Sequence, residues 1–144
     1  MSTPLRTFEG GCHCGALGVS FQTQLPVAEW IVRACQCRFC RAHGARTTSD
    51  PSGRLAFHVN QREALQRYRF GLMTADFLVC RACGIYLGAQ IATARGAFGI
   101  INTRALVPQP EGLPLAAQAD YGSESALDRS ARREQRWTPL ARLA

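Results

Sequence analysis

The chain has 144 residues, of which 47% are hydrophobic and 19% are charged, with a formal net charge of +7. This size and composition are ordinary for one soluble globular domain, and no apolar run reaches the ~20 residues of a membrane-spanning helix. The N-terminal stretch also lacks the apolar segment of a secretory signal, so we expect a cytoplasmic protein that does not enter a membrane.

The positive charge comes entirely from arginine, because the sequence contains no lysine. A modest charge spread along the chain is weak support for a nucleic-acid partner. It fits equally well with a small substrate carrying carboxylates, which arginine binds through two parallel hydrogen bonds. The absence of lysine excludes a lysine Schiff base, so a carbonyl substrate would have to be polarised by a metal or by hydrogen bonds.

Alternation of apolar and polar residues predicts a mainly β fold. In chain order, strands are predicted at 16–23, 28–35, 55–59, 65–70, 76–80, 85–91 and 97–103. The second of these strands leads into a cysteine cluster. The strands at 76–80 and 85–91 flank another cluster, as the two arms of a hairpin would.

The composition changes after Ala105. Residues 107–114 hold three prolines and one glycine and predict an extended connector. Ser125 and Asp128 have the spacing of a helix-capping pair, so a short amphipathic helix is predicted over 126–137, ended by Pro139.

The faces of this helix are assigned from its sequence. One face is expected to present Leu127, Ala131 and Gln135. The arginines of the helix are interpreted as a solvated surface balanced by Asp128 and Glu134, and not as a nucleic-acid site; they are Arg129, Arg132, Arg133 and Arg136.

All seven cysteines fall into three short clusters. These are Cys12 and Cys14 in GGCHCG, Cys35, Cys37 and Cys40 in CQCRFC, and Cys80 and Cys83 in CRACG. An odd number in a reducing compartment argues against a disulfide framework. Because no cysteine stands outside a cluster, the pattern indicates metal binding.

The first and third clusters are expected to form one closed site with four sulfur ligands: Cys12, Cys14, Cys80 and Cys83. Each of the two clusters lies in a tight turn and is followed by a glycine, Gly15 or Gly84. Glycine tolerates the positive φ that such a turn needs. Zn²⁺, about 2.3 Å from each sulfur, is the natural occupant. A structural site of this kind supplies roughly 10–16 kcal/mol of apparent binding free energy.

The middle cluster leaves three ligands, Cys35, Cys37 and Cys40. Three protein ligands and one open position distinguish a catalytic zinc site from a structural one. Two alternatives remain at this point. His43 could complete the site, or the ligands could divide differently, for example Cys12 and Cys14 with Cys35 and Cys37. The open site is favoured, because Gly44 directly after His43 indicates that the chain turns away there.

The order and spacing of the clusters resemble one family. GGCHCG, then C-x-C-x-x-C-R-x-x-G, then C-x-x-C-G about forty residues later is similar to the glutathione-dependent formaldehyde-activating enzyme (Gfa) family, whose eukaryotic relatives include centromere protein V. INTRAL (101–106) and RREQRWTP (132–139) also resemble a bacterial branch of it.

The resemblance implies a small β-tent with two Zn²⁺ ions, one structural (Cys12, Cys14, Cys80, Cys83) and one catalytic (Cys35, Cys37, Cys40). We therefore expect a zinc-binding Gfa-like β domain over 1–106. The connector and C-terminal helix of 107–144 are expected to pack on that domain.

The implied activity is that of a carbon–sulfur lyase or synthase. A small-molecule thiol, glutathione or another, would bind at the open zinc and add to formaldehyde or a related aldehyde. A lyase dedicated to another thiol adduct is a variant of this hypothesis. The rival hypothesis is a non-catalytic zinc module that binds protein or nucleic acid; it is the weaker one, because no basic stripe with interleaved aromatic residues is visible.

Overall fold

Short strands make up most of the regular structure. The structure, a computed structural model, describes residues 3–144. Its strands are β1 (Arg6–Gly11), β2 (Leu17–Thr23), β3 (Arg33–Cys35), β4 (Thr47–Thr48), β5 (Arg54–Val59), β6 (Leu65–Tyr68), β7 (Asp76–Cys80), β8 (Tyr86–Thr93), β9 (Gly96–Asn102), β10 (Ala117–Ala119) and β11 (Thr138–Leu140). The α-helices are α1 (Arg38–His43) and α2 (Ala126–Arg136), and 3₁₀ turns lie at Val27–Glu29, Arg62–Ala64 and Thr103–Ala105. No helix among the described residues is long and apolar enough to cross a membrane.

The strands join into one branched sheet in which β9 is the junction. From one edge the order is β1, β2, β5, β11 and β9. From β9 one branch continues through β4 and β3 to β10, and the other through β8 and β7 to β6. The mainly β fold with a short C-terminal helix that the sequence predicts is confirmed.

Most of the predicted strands are present with ends shifted by one or two residues. β2 illustrates why alternation predicts strands: Leu17, Val19 and Phe21 are buried, while the residues between them are only partly buried. This alternation places one face of the strand on the core. Strands β1, β4, β10 and β11 were not predicted from the sequence.

The predicted strand over 28–35 is wrong except at its end. The segment begins with the 3₁₀ turn Val27–Glu29, and only Arg33–Cys35 pairs as a strand. The cause is Trp30, whose indole N–H donates to the Leu25 carbonyl at 3.2 Å and whose ring packs edge-on against Phe8 and Phe21. Burial of this large ring therefore favours a compact turn over an extended strand at this position.

The C-terminal helix begins as predicted, but it packs on the opposite face. The Ser125 hydroxyl accepts from the backbone N–H of Asp128 at 3.1 Å, which confirms the cap. The assignment of faces is wrong: Leu127 is 81% exposed, whereas Arg133 is only 7% exposed. Trp137, directly after the helix, is buried with Ala75, Ala89, Ile91 and Ile100, and this contact turns the face that carries Arg133 inward.

The expectation that Pro139 ends the helix is wrong. The helix already ends at Arg136, and Pro139 lies in the middle of β11 opposite Phe98. A buried polar network holds this strand in place. The Asp50 backbone N–H donates to the Thr138 hydroxyl at 2.8 Å, and the Thr23 hydroxyl donates to the Asp50 carboxylate at 2.6 Å. The network therefore anchors the chain directly after α2.

We expect Thr138→Val to lower the free energy of unfolding by about 1–3 kcal/mol, because it leaves the buried Asp50 N–H without its acceptor. The measurement is chemical denaturation of metal-replete protein. Thr7→Val, the same change at an exposed position in β1, is the control and should change stability by less than about 0.5 kcal/mol. Equal stability of the two variants would contradict the role given to the network.

Candidate functional site

Four cysteine sulfurs from two distant hairpins meet in one group. Their Sγ atoms all lie within 4.8 Å of one another, and the cysteines are Cys12, Cys14, Cys80 and Cys83. Cys12 and Cys14 occupy the turn between β1 and β2, whereas Cys80 ends β7 and Cys83 lies in the turn that leads to β8. In the hydrogen-bonded order of the sheet, four strands separate β2 from β7. The sheet must therefore curl to bring these turns together.

Each turn is shaped to point its sulfurs inward. Gly15 and Gly84 leave the turns with φ of 82° and 83°, which an L-residue with a side chain adopts only under strain. The Leu17 backbone N–H donates to the Cys12 sulfur at 3.3 Å. Backbone donors of this kind stabilise a thiolate, the form in which cysteine binds a metal.

The dimensions of the four-sulfur group fit a tetrahedral metal. The sulfurs of Cys12 and Cys14 are 3.7 Å apart, and those of Cys14 and Cys80 are 3.6 Å apart. A tetrahedron with Zn–S bonds of about 2.3 Å has edges of about 3.8 Å. Four soft thiolates in this arrangement suit Zn²⁺.

The remaining cysteines form a separate group of three. The sulfurs of Cys35, Cys37 and Cys40 also lie within 4.8 Å of one another. Cys35 ends β3, and the sulfur of Cys37, the residue before α1, accepts from the Cys40 backbone N–H at 3.4 Å. Contacts with the Cys35 and Cys40 sulfurs, and the backbone N–H groups of Cys40 and Phe39, hold the pKa of Cys37 well below its usual value. The positions of the sulfurs do not support the alternative division, because Cys12 and Cys14 group with Cys80 and Cys83 and not with Cys35 and Cys37.

His43 does not complete the three-sulfur group. Among the described residues, no histidine, cysteine or carboxylate other than the three cysteines belongs to the group. The His43 ring instead packs at a tilt against Phe39, with ring centres 4.6 Å apart, at the exposed end of α1. Gly44, with φ of 60°, ends the helix there and turns the chain away, as expected from the sequence.

The three sulfurs lie in the wall of a cavity of about 140 Å³. Its apolar lining comes from Phe70, Phe77, Ala89, Ile100 and Trp137. The Tyr86 side chain also lines it and is buried against Cys40 and Phe39. Burial and the nearby cysteines raise the pKa of Tyr86 well above its usual value, so its phenol is protonated at neutral pH.

Four arginines line the side of the cavity formed by α2 and β3: Arg33, Arg129, Arg132 and Arg133. The prediction that the arginines of the C-terminal helix form a solvated surface is therefore wrong for Arg129, Arg132 and Arg133. Burial and the neighbouring Arg132 charge lower the pKa of Arg133 to about 10, so its guanidinium remains charged at neutral pH.

Sequence reasoning identified every cysteine of the site but none of these arginines or aromatic residues. A usable signal was present in α2, since Arg129, Arg133 and Trp137 recur every four residues and so share one face of a helix. The aromatic wall has no such local signal, because Phe70 lies in the loop after β6, Phe77 in β7 and Tyr86 in β8.

Comparison with known proteins agrees with the cysteine pattern. The sequence model of the family described as glutathione-dependent formaldehyde-activating enzyme matches residues 7–116, a range that holds all seven cysteines. A Rhodobacter sphaeroides protein of known crystal structure is 31% identical, with a TM-score of 0.57 over 77% of this chain and 99% of that one. Since the family match covers most of the sequence, the chain belongs to the glutathione-dependent formaldehyde-activating enzyme family.

Proposed function

We propose that this protein catalyses the reversible addition of a small thiol, glutathione or another, to formaldehyde or a related small aldehyde. In reverse the reaction is that of a carbon–sulfur lyase. Family membership supports both substrate classes. The observation that carries the proposal is the group of three cysteine sulfurs, which has no fourth ligand from the described residues and faces a cavity.

The proposal gives the two sulfur groups different roles, with one Zn²⁺ in each and two per chain. The closed group of Cys12, Cys14, Cys80 and Cys83 would be structural, because it offers a complete tetrahedral ligand set. Cys35, Cys37 and Cys40 would hold the catalytic ion. When bound there, Zn²⁺ keeps one coordination position for an outside ligand and favours the deprotonated form of a thiol that takes it.

The walls of the cavity favour the addition step. Its apolar side, which includes Phe70 and Phe77, suits a small organic substrate. The same walls hold the aldehyde close to the substrate sulfur, which lowers the entropic cost of bringing two reactants together.

The addition itself needs one proton. The substrate sulfur forms a bond to the aldehyde carbon with its electron pair, and the π pair of the carbonyl moves onto oxygen. Tyr86 is the candidate donor to that oxygen, since it is a neutral phenol in the cavity wall. The thiol gives its proton to solvent when it becomes a thiolate, and the phenol regains one proton from solvent, so the sum is thiol plus aldehyde giving an S-hydroxyalkyl adduct.

We expect Cys37→Ser to reduce the rate of adduct formation to the uncatalysed level and to lower the zinc content by one ion per chain. The rate is measured as NMR exchange between ¹³C-formaldehyde and its adducts with several thiols. His43→Gln is the control and should keep both zinc and activity, because His43 lies outside the sulfur group. Unchanged turnover in Cys37→Ser would remove the three-cysteine site from the mechanism.

We expect Tyr86→Phe to lower kcat on the order of 100-fold with little change in KM, because a proton donor acts mainly in the transition state. Zinc content and thermal stability should stay as in the wild type, which separates this effect from misfolding. Tyr68→Phe makes the same chemical change at a half-exposed tyrosine outside the cavity lining and serves as the control. Full activity of Tyr86→Phe would exclude Tyr86 as the donor.

A further inference from the structure

We infer that the arginine wall of the cavity binds a carboxylate of the substrate, so that the protein acts on a compact thiol or aldehyde with a carboxylate beside its reacting atom. This inference rests on the proposed function and narrows its substrate class. Three of the four arginines belong to α2, which lies beyond residues 7–116 matched by the family model. Most of the wall therefore lies outside the region that the family model matches, and only Arg33 lies within it.

Two of the four arginines already have a carboxylate partner. Arg132 donates two hydrogen bonds to Glu124, at 2.8 and 3.0 Å, and its guanidinium lies 3.5 Å from the centre of the Tyr121 ring. Arg129 contacts the same carboxylate at 3.4 Å and donates to the Tyr121 carbonyl at 2.6 Å. Glu124 thus holds both side chains in place at the edge of the cavity. Asp120, also in the lining, is exposed.

The other two, Arg33 and Arg133, have no acidic partner within 4.0 Å among the described residues. Arg33 donates one hydrogen bond, to the Ser49 hydroxyl at 3.2 Å. Arg133 donates to the Thr74 hydroxyl at 2.8 Å and packs on the Trp137 ring, and its buried Nε has no partner within the described part of the chain. A buried guanidinium without a counter-charge is costly, and an anion in the cavity would offset that cost.

The shape of the site indicates which anion fits. A guanidinium fork matches the two oxygens of a carboxylate. The three sulfurs line the same cavity, so a bound carboxylate and the reacting sulfur or aldehyde carbon share a space of about 140 Å³. A cavity of ~150 Å³ holds a molecule the size of benzene. A carboxylate and a reacting atom that both lie within this space can be only a few bonds apart.

The test compares substrates that differ mainly in the carboxylate. In one arm, mercaptoacetate and 2-mercaptoethanol are each combined with formaldehyde. In the other, glyoxylate and acetaldehyde are each combined with 2-mercaptoethanol. We expect the wild-type protein to prefer the carboxylate substrate by about tenfold or more in kcat/KM in at least one arm, and that arm identifies which reactant carries the carboxylate.

Substitution then assigns the preference to the wall. Arg133→Met keeps the length of the side chain without its charge and should bring the preference close to one, while Arg133→Lys should keep part of it. Arg136→Met removes a charge from the same helix outside the cavity lining and is the matched control. If Arg133→Met does not fold, Arg33→Gln tests the same preference from β3. No wild-type preference in either arm, or an equal loss for charged and neutral substrates, would overturn the inference.

Calorimetric binding of mercaptoacetate and 2-mercaptoethanol to the zinc-loaded protein separates the inference from the proposed function. Tighter binding of mercaptoacetate that Arg133→Met abolishes would support the carboxylate site even if no adduct forms with any thiol. Turnover of charged and neutral substrates at equal rates, with equal binding of both thiols, would support the proposed function and contradict the carboxylate site.

Discussion

The structure depends on sulfur atoms brought together from hairpins that the sheet itself keeps apart. Four strands separate β2 from β7 in hydrogen-bonded order, yet the sulfurs of Cys14 and Cys80 are 3.6 Å apart. Four sulfurs this close together form a group that could hold a metal ion, and thiolates at this distance would repel one another without a cation between them. A zinc ion there would supply binding free energy comparable with the whole stability of a small domain.

With the sheet closed in this way, the second sulfur group can remain incomplete. It lies between β3 and α1, and the cavity beside it is covered from another direction by α2. The position of α2 depends on burial of Trp137 and on the polar network around Asp50, which both lie outside the cysteine clusters. Separate parts of the chain therefore form the sulfur group and cover the cavity beside it.

The predictable features were those encoded by local pattern. Alternation identified β2 and the hairpin β7–β8, and cluster spacing identified all the cysteines. The predictions that failed concern features that tertiary contacts decide. Residues 28–32 contain good strand formers, but burial of Trp30 against Phe8 and Phe21 imposes a turn. The arginines of α2 were assigned to solvent because charged side chains are seldom buried. The packing of Trp137, which the sequence alone does not show, turns the face of the helix that carries Arg133 inward. Strand β11 was missed because it has three residues, one of them Pro139.

The most direct measurement of the central claim is zinc K-edge X-ray absorption on the metal-replete protein, with and without excess 2-mercaptoethanol. Seven cysteine ligands shared by a group of four and a group of three correspond to an average of 3.5 sulfurs per zinc. The account predicts this average in the absence of added thiol and a rise toward four when the thiol binds. An average that is already four without thiol, or one that stays the same when thiol is added, would contradict it.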